Sequence, residues 1–404
     1  MSNNLIDRRK FIASSVIGLG GLVAVPSVFA GQDISSNKTV RIGIVGTGKR
    51  GLGLINTMAT ITGLEVVACC DILPDNLNAA LAKAGPKAKG YTDYEKMLTD
   101  KNIDAVIVST PLYLHYPMSI AALEMKKHVY VEKSMTFTIE QSLDLVKRIR
   151  NSKQVLQVGF QYRNYGLYHK VKEFIQRGGI GDKYSIECNY NRRSDWKLEV
   201  KDPKLEKTIN WRLYRDMCGG LLSELCAHQI DIINYITGSH PAMVLGVGGT
   251  DYFKDGRGTT DNVRAIYEYA NGVKATYASS LVNTTNTYEI KIFGNEASIE
   301  IGRNKAYLSA GPTKKSFGIV DGVTGATVIN ETPGKKVELP YLKAGEKYVE
   351  PTVHALQNFY DCVVNGKTPL SNVETGKDTA IAICMGLDAI ETKSIQYWKP
   401  EYSV

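Results

Sequence analysis

The sequence predicts an α/β fold in two parts. A doubly wound parallel sheet comes first, and an α/β domain built on an open, mostly antiparallel sheet follows. Three observations carry this. Val40 to Val45 is a β-branched run that leads directly into Gly46-Thr47-Gly48-Lys49-Arg50-Gly51. Strand-like and helix-like stretches then alternate as far as about residue 160, the mark of parallel β-α-β units. Beyond about Gln161 the pattern changes to successive strands joined by hairpin signals such as Asn271-Gly272.

Taken in order, the elements of the first part are a strand at Val40 to Val45, a helix opened by the glycine loop and a second strand at Leu64 to Cys70. Thr92-x-x-Glu95 resembles a capping box. Ile103 to Val108 reads as a buried strand, Leu114 to Lys126 as a helix and His128 to Val131 as another strand. In the second part helices are expected near Tyr168 to Arg177 and Leu221 to Thr237. Strands are expected at Tyr184 to Asn191, Met243 to Gly248, Asn262 to Tyr269, Val273 to Ser280, Thr287 to Phe293 and Ala297 to Ile301.

A chain of 404 residues, 43% of them apolar, can bury the cores of two ordinary domains. The formal charge of +8 is scattered rather than clustered and is not interleaved with aromatic residues as in a nucleic-acid module, so no nucleic-acid partner is expected. Seven cysteines without Cys-x-x-Cys spacing indicate neither a zinc ribbon nor a disulfide framework, and Cys69 and Cys70 read as strand core.

Near the start, Arg8-Arg9 precede an apolar stretch from Phe11 to about Val25, then Pro26 and Val28-Phe29-Ala30. This looks like a twin-arginine export signal cleaved after Ala30, which implies a periplasmic enzyme without stable membrane insertion. The expected organisation is therefore a signal over 1–30, a dinucleotide-binding domain over 31–160, a substrate and oligomerisation domain over 161–350, and a helical segment over 351–404 packing back on the core.

The glycine loop has the context that gives such a motif meaning: a strand before it, a helix after it, and Asp71 at the end of the next strand. Gly46 permits a tight turn, Gly48 lets backbone approach a pyrophosphate, and Gly51 lets helix and strand pack closely. Asp71 is placed to accept hydrogen bonds from an adenosine ribose, which favours NAD, while Arg50 leaves NADP open. Ligands of doubly wound sheets sit at the carboxyl ends of the strands. That rule singles out Thr110 and His115, and Glu132 with Lys133, beside Thr47, Lys49 and Gln161, as cofactor-facing residues.

These residues resemble the Gfo/Idh/MocA oxidoreductase family. The matching pieces are Gly46 to Gly51, Asp71, Thr110-Pro111 with His115, Glu132-Lys133, Gly179-Ile180-Gly181, Gly219 to His228, and His354 to Phe359. Ser134 stands where a proline is usual, and Glu224 where the family commonly has aspartate. The resemblance implies that Lys133, Glu224 and His228 are the catalytic lysine, acid and histidine. It also implies that the second sheet serves homo-oligomer contacts.

Glu224, His228 and Asp231 share one face if the segment is a regular helix, so a carboxylate is expected to orient the imidazole as it takes a hydroxyl proton. Arg163, Tyr190, Trp211, Arg212 and Asp231 are the substrate candidates, because aromatic faces suit sugar C–H groups and charged groups suit hydroxyls. No metal is expected. The function this implies is a sugar oxidoreductase with a tightly held, recycled nicotinamide cofactor. The alternatives are a glycosidase or lyase working by transient oxidation, and a dinucleotide-binding protein without catalysis.

Overall fold

The computed structural model describes residues 38–311, 316–320, 323–328 and 336–403. The expected export signal lies outside the described residues.

Six strands form the first sheet: β1 (Val40–Val45), β2 (Leu64–Cys70), β3 (Lys89–Tyr91), β4 (Ala105–Val108), β5 (His128–Val131) and β6 (Leu156–Val158). Their order is β3-β2-β1-β4-β5-β6, and every pair is parallel. The helices between them are α1 (Lys49–Met58), α2 (Pro74–Ala84), α3 (Tyr94–Leu98), α4 (His115–Glu124) and α5 (Ile139–Arg150). Strands β4 and β5 are buried on both faces, as a parallel sheet with helices on each side requires. Helix α5 starts on a capping box in which Thr138 and Gln141 satisfy each other's backbone groups, a device worth about 1 kcal/mol. At α3 the cap expected from Thr92 is instead supplied by Asp93, whose carboxylate accepts from the Glu95 and Lys96 amides.

One register row decides where a ligand can lie. Cys70, Val45, Val108, Val131 and Val158 are neighbours across β2, β1, β4, β5 and β6. The residues that follow them (Asp71, Gly46, Ser109, Glu132 and Gly159) therefore emerge side by side along one lip of the sheet.

The second sheet has nine strands in the order β16-β13-β12-β11-β7-β10-β9-β8-β17. They are β7 (Tyr184–Arg193), β8 (Pro241–Gly249), β9 (Asn262–Tyr269), β10 (Lys274–Ser280), β11 (Val282–Gly294), β12 (Ala297–Ile301), β13 (Ala306–Ala310), β16 (Val337–Glu338) and β17 (Gln396–Tyr397). Strands β14 (Ser316–Val320) and β15 (Val323–Val328) pair only with each other. All contacts in the large sheet are antiparallel except β7 with β10. Helices α6 (Gly166–Gln176) and α7 (Ala227–Thr237) belong to this half.

Two last helices, α8 (Pro351–Asn365) and α9 (Val373–Thr392), tie the halves together. Helix α8 packs on α1 and β1, and the Gln157 amide donates to the Ala355 carbonyl at 2.7 Å. Helix α9 touches β6 and α5 on one side and β8 and α7 on the other. The C-terminal segment is thus not only helical, because β17 adds a strand to the edge of the second sheet beside β8.

Candidate active site

The lip of the first sheet supplies the dinucleotide end of the site. Gly46 adopts φ of +83°, and a Cβ there would meet the Ser109 carbonyl oxygen at 2.7 Å. A Cβ on Gly51 would fall onto the Gly46 carbonyl oxygen, so the loop closes only over glycine. Around Gly48 the space is open, its nearest neighbour being Asn76 at 3.8 Å. Gly48 is also the N-cap of α1 and provides no side-chain cap, leaving the amides of Lys49, Arg50 and Gly51 available to an anion.

Asp71 Oδ2 accepts from the Thr47 amide at 2.7 Å and from its hydroxyl at 3.2 Å, and Oδ1 accepts from the Leu73 amide at 2.9 Å. It stands at the β2 tip and braces the glycine loop. Arg50 points the other way. It binds Glu132 at the tip of β5 at 2.8 Å, two strands from β1 and on the side away from β2. Arg50 is thus engaged by a buried carboxylate at another strand end than that of Asp71. His115 departs from expectation. One ring nitrogen lies 2.7 Å from the Ser134 carbonyl and the other 2.9 Å from the Thr110 carbonyl, so the ring fixes the two loops above β4 and β5 rather than facing a ligand. The Lys133–Ser134 peptide bond is cis.

Lys133 reaches the second half of the molecule. Its Nζ lies 3.3 Å from Glu224 Oε1 and 3.1 Å from the Glu224 carbonyl. Arg212 Nε donates to Glu224 Oε2 at 2.8 Å. Burial alone would raise the Glu224 pKa, but Lys133 and Arg212 outweigh it and hold the carboxyl ionised, with a pKa of about 2. Both carboxylate oxygens are thereby taken, so Glu224 does not orient His228 as the helical spacing suggested. The reason is local: Leu222 to Cys226 form a π turn, which changes the residues per turn just before α7 begins.

His228 Nδ1 is buried without a hydrogen-bond partner. Burial first, then the positive charges of Lys133 and Arg50, hold its pKa well below the usual histidine range, so the ring is neutral at pH 7. Thr110 Oγ1 and Gln161 Oε1 are likewise buried without partners. Three orphaned polar atoms beside one strand lip are what a site waiting for hydroxyls and amides would hold.

Arg163 and Asp231, both expected to meet substrate, are instead closed on each other. Arg163 Nε donates to the two Asp231 oxygens at 2.8 and 2.9 Å, and Thr379 adds a bond at 3.1 Å. The pair is wholly buried and serves as a structural link between the Gln161–Asn164 turn, α7 and α9. Trp211 is covered on one face by the Arg212 guanidinium, 4.2 Å from the ring centre. Tyr190 is buried in β7 and stacks edge-on against Tyr288 at 5.1 Å. Tyr162, which sequence reasoning did not select, lies 5.5 Å from the His228 ring and 5.6 Å from Tyr288. Arg303 sits over Tyr190 and Tyr288 at 5.5 and 5.4 Å. No local signal marked Tyr288 or Arg303, which reach the site only through strand pairing.

The arrangement can cradle an anionic dinucleotide along the lip and take a proton at a neutral imidazole beside a fixed lysine. Comparison with known proteins identifies the family. Residues 40–160 match the family described as "Oxidoreductase family, NAD-binding Rossmann fold", and residues 168–300 match the "GFO/IDH/MocA C-terminal domain". The chain is 30% identical over 200 residues to inositol 2-dehydrogenase of Salmonella typhimurium, covering 49% of this chain and 54% of that protein. It is also 30% identical over 235 residues to a glycosyl hydrolase family 109 protein of Shewanella pealeana, covering 52% and 50%. The matches span about half the length of these curated relatives. A solved levoglucosan dehydrogenase in complex with NADH and L-sorbose superposes with a TM-score of 0.74 at 20% identity, covering 91% of this chain and all of the other. With both halves matched in order, and with the glycine loop, lysine, acid and histidine placed around one cleft, the chain belongs to the Gfo/Idh/MocA oxidoreductase family.

Proposed function

We propose that the protein is an NAD-dependent oxidoreductase acting on a sugar or sugar derivative. The observation that carries this is the neutral His228, whose Nδ1 has no hydrogen-bond partner, at the same cleft as Lys133 and the open helix N-terminus above Gly48. Gly46, Gly48, Gly51 and the first amides of α1 would hold the pyrophosphate, and Asp71 would hold the adenosine ribose. Its carboxylate, with Arg50 engaged by Glu132, favours NAD over NADP. When bound, the nicotinamide accepts a hydride from a substrate carbon. The protein's own part is to orient that carbon's hydroxyl through Lys133 and to remove its proton at His228. Glu224 keeps Lys133 in place by fixing its ammonium.

A second reading has one specific support, the likeness to the family 109 glycosyl hydrolase protein. There the oxidation would be transient and a glycosidic group would leave before the hydride returns. Product analysis on a panel of methyl glycosides separates the two. A ketone or lactone fits the oxidoreductase, whereas free sugar released without net oxidation replaces that reading with the hydrolase. A protein that neither copurifies with a dinucleotide nor is stabilised by NADH against heat would defeat both.

Two further expectations are part of this proposal. Arg8-Arg9 and Val28-Phe29-Ala30 support export by the twin-arginine route to the periplasm, where a recycled and tightly held cofactor is an advantage. Replacing both arginines by lysine should strand the precursor in the cytoplasm. The open face of the second sheet exposes Leu245 opposite Ile266, with Val247 67% exposed beside them, which supports a homo-oligomer through that face. Among the described residues no helix is long and apolar enough to cross a membrane.

A further inference from the structure

We propose that this site takes an acidic sugar, and that Arg303 recognises its anionic group. The inference rests on the sugar-oxidoreductase reading above and names the substrate class within it. Arg303 lies in the tight turn between β12 and β13, where the Gly302 amide donates to the Lys305 carbonyl at 2.8 Å. Among the described residues its exposed guanidinium has aromatic neighbours and no carboxylate partner: it lies over the Tyr190 and Tyr288 rings, and the partners acting on its charge are Tyr190, Tyr162 and Tyr288.

Other arginines around the cleft are matched by carboxylates. Arg50 has Glu132 and Arg212 has Glu224, and in the core behind them Arg163 has Asp231. Arg192 is the other exception; it donates to the Tyr190 hydroxyl at 3.1 Å. Leaving aside the Arg50–Glu132 pair on the first-sheet lip, the second half brings Lys133, Arg212 and Arg303 against Glu224, with His228 neutral. Glu350, at the mouth, caps α8 and accepts from the Thr352 amide and hydroxyl at 2.8 and 3.1 Å. The balance is positive on the substrate side. A neutral polyol gains little from that excess, whereas a carboxylate or phosphate answers it with charge-assisted, bidentate bonds.

The spacing agrees. Arg303 is separated from His228 by the Tyr288 and Tyr162 rings, whose successive centre-to-centre distances are 5.6 Å between the tyrosines and 5.5 Å from Tyr162 to His228. A pyranose lying along this tyrosine wall can present a ring hydroxyl to His228 and an exocyclic anion to Arg303. Its C–H face then rests on the half-buried Tyr162 ring, with Tyr288 buried behind it.

The test is calorimetric titration of the purified chain at saturating NADH with methyl β-glucoside, methyl β-glucuronide and glucose 6-phosphate. At least one anion should bind roughly tenfold or more tighter than the neutral glucoside. Whichever does so identifies the recognised group as carboxylate or phosphate. Arg303→Gln should weaken the anions at least tenfold and the glucoside far less, and Arg303→Lys should recover part of the loss. Equal binding of neutral and anionic probes, a preference that survives Arg303→Gln, or no binding by any probe would overturn the assignment. NADH affinity is measured in the same series: its absence sinks the dinucleotide reading and this one together, whereas NADH binding without anion preference sinks this one alone.

Discussion

The two walls of the cleft are built by different means. The first-sheet wall is mostly main chain: glycines that permit a turn, amides at a helix N-terminus and residues that each follow directly from a strand end. The second-domain wall is made of side chains gathered from far apart, with Tyr162, Tyr190, Arg212, Glu224, His228, Tyr288 and Arg303 contributed by turns, strands and the first turn of α7 across some 140 positions. The lesson is a division of labour. A wall of backbone geometry suits a ligand that never varies, and a wall of exchangeable side chains suits one that does.

The sharpest way to break this comparison is at His228, the chemical centre of the second wall. His228→Ala should lower turnover by roughly two to four powers of ten while leaving NADH affinity nearly unchanged, as read by single-turnover kinetics and a fluorescence titration. If NADH binding falls in step with turnover, the walls are not functionally separate. Next in size is the buried link behind them. Arg163→Met should cost about 3 to 5 kcal/mol in urea unfolding, because it leaves the buried Asp231 carboxyl without its charge partner and with Thr379 as its remaining side-chain hydrogen bond. A loss confined to substrate affinity, with stability intact, would restore Arg163 to the substrate site.

Gly51→Ala tests the first wall from the main-chain side. The new methyl must displace the Gly46 carbonyl, so NADH affinity should fall about tenfold or more without a comparable change in the His228-dependent step. Unaltered NADH affinity would show that the loop geometry is not what binds. The smallest effect is on pH dependence. The Glu224 carboxyl titrates near pH 2 in the folded protein against about 4.5 when free, so its stabilisation is complete above about pH 4.5 and is lost as pH falls towards 2. Glu224→Gln should flatten that part of the acid-unfolding curve; an unchanged acid limb would remove Glu224 from its role between Lys133 and Arg212.

Legibility in the sequence follows the same division. Val40 to Val45, Leu64 to Cys70, Asn262 to Tyr269 and Ala297 to Ile301 are strands over the expected residues, because a local pattern decides each of them. The positions of the glycine loop, Asp71 and Lys133 are legible for the same reason: they follow from strand ends. Misreadings occurred where tertiary partners decide. Nothing local says that Arg163 will be captured by Asp231 68 residues away, or that both His115 nitrogens will meet backbone carbonyls. The π turn at Leu222 to Cys226 also gives no local warning in a segment of ordinary helix formers, and it undid the expected Glu224 to His228 contact.

Helix α9 gives the molecule a property that neither sheet has by itself. Its twenty residues are shared between two hydrophobic interiors, touching β6 and α5 on one side and β8 and α7 on the other, and β17 then fastens the chain end to the far sheet. Neither half can melt without stripping apolar cover from the other. Heating should therefore give one calorimetric transition rather than two, with van't Hoff and calorimetric enthalpies in agreement despite the two-sheet architecture.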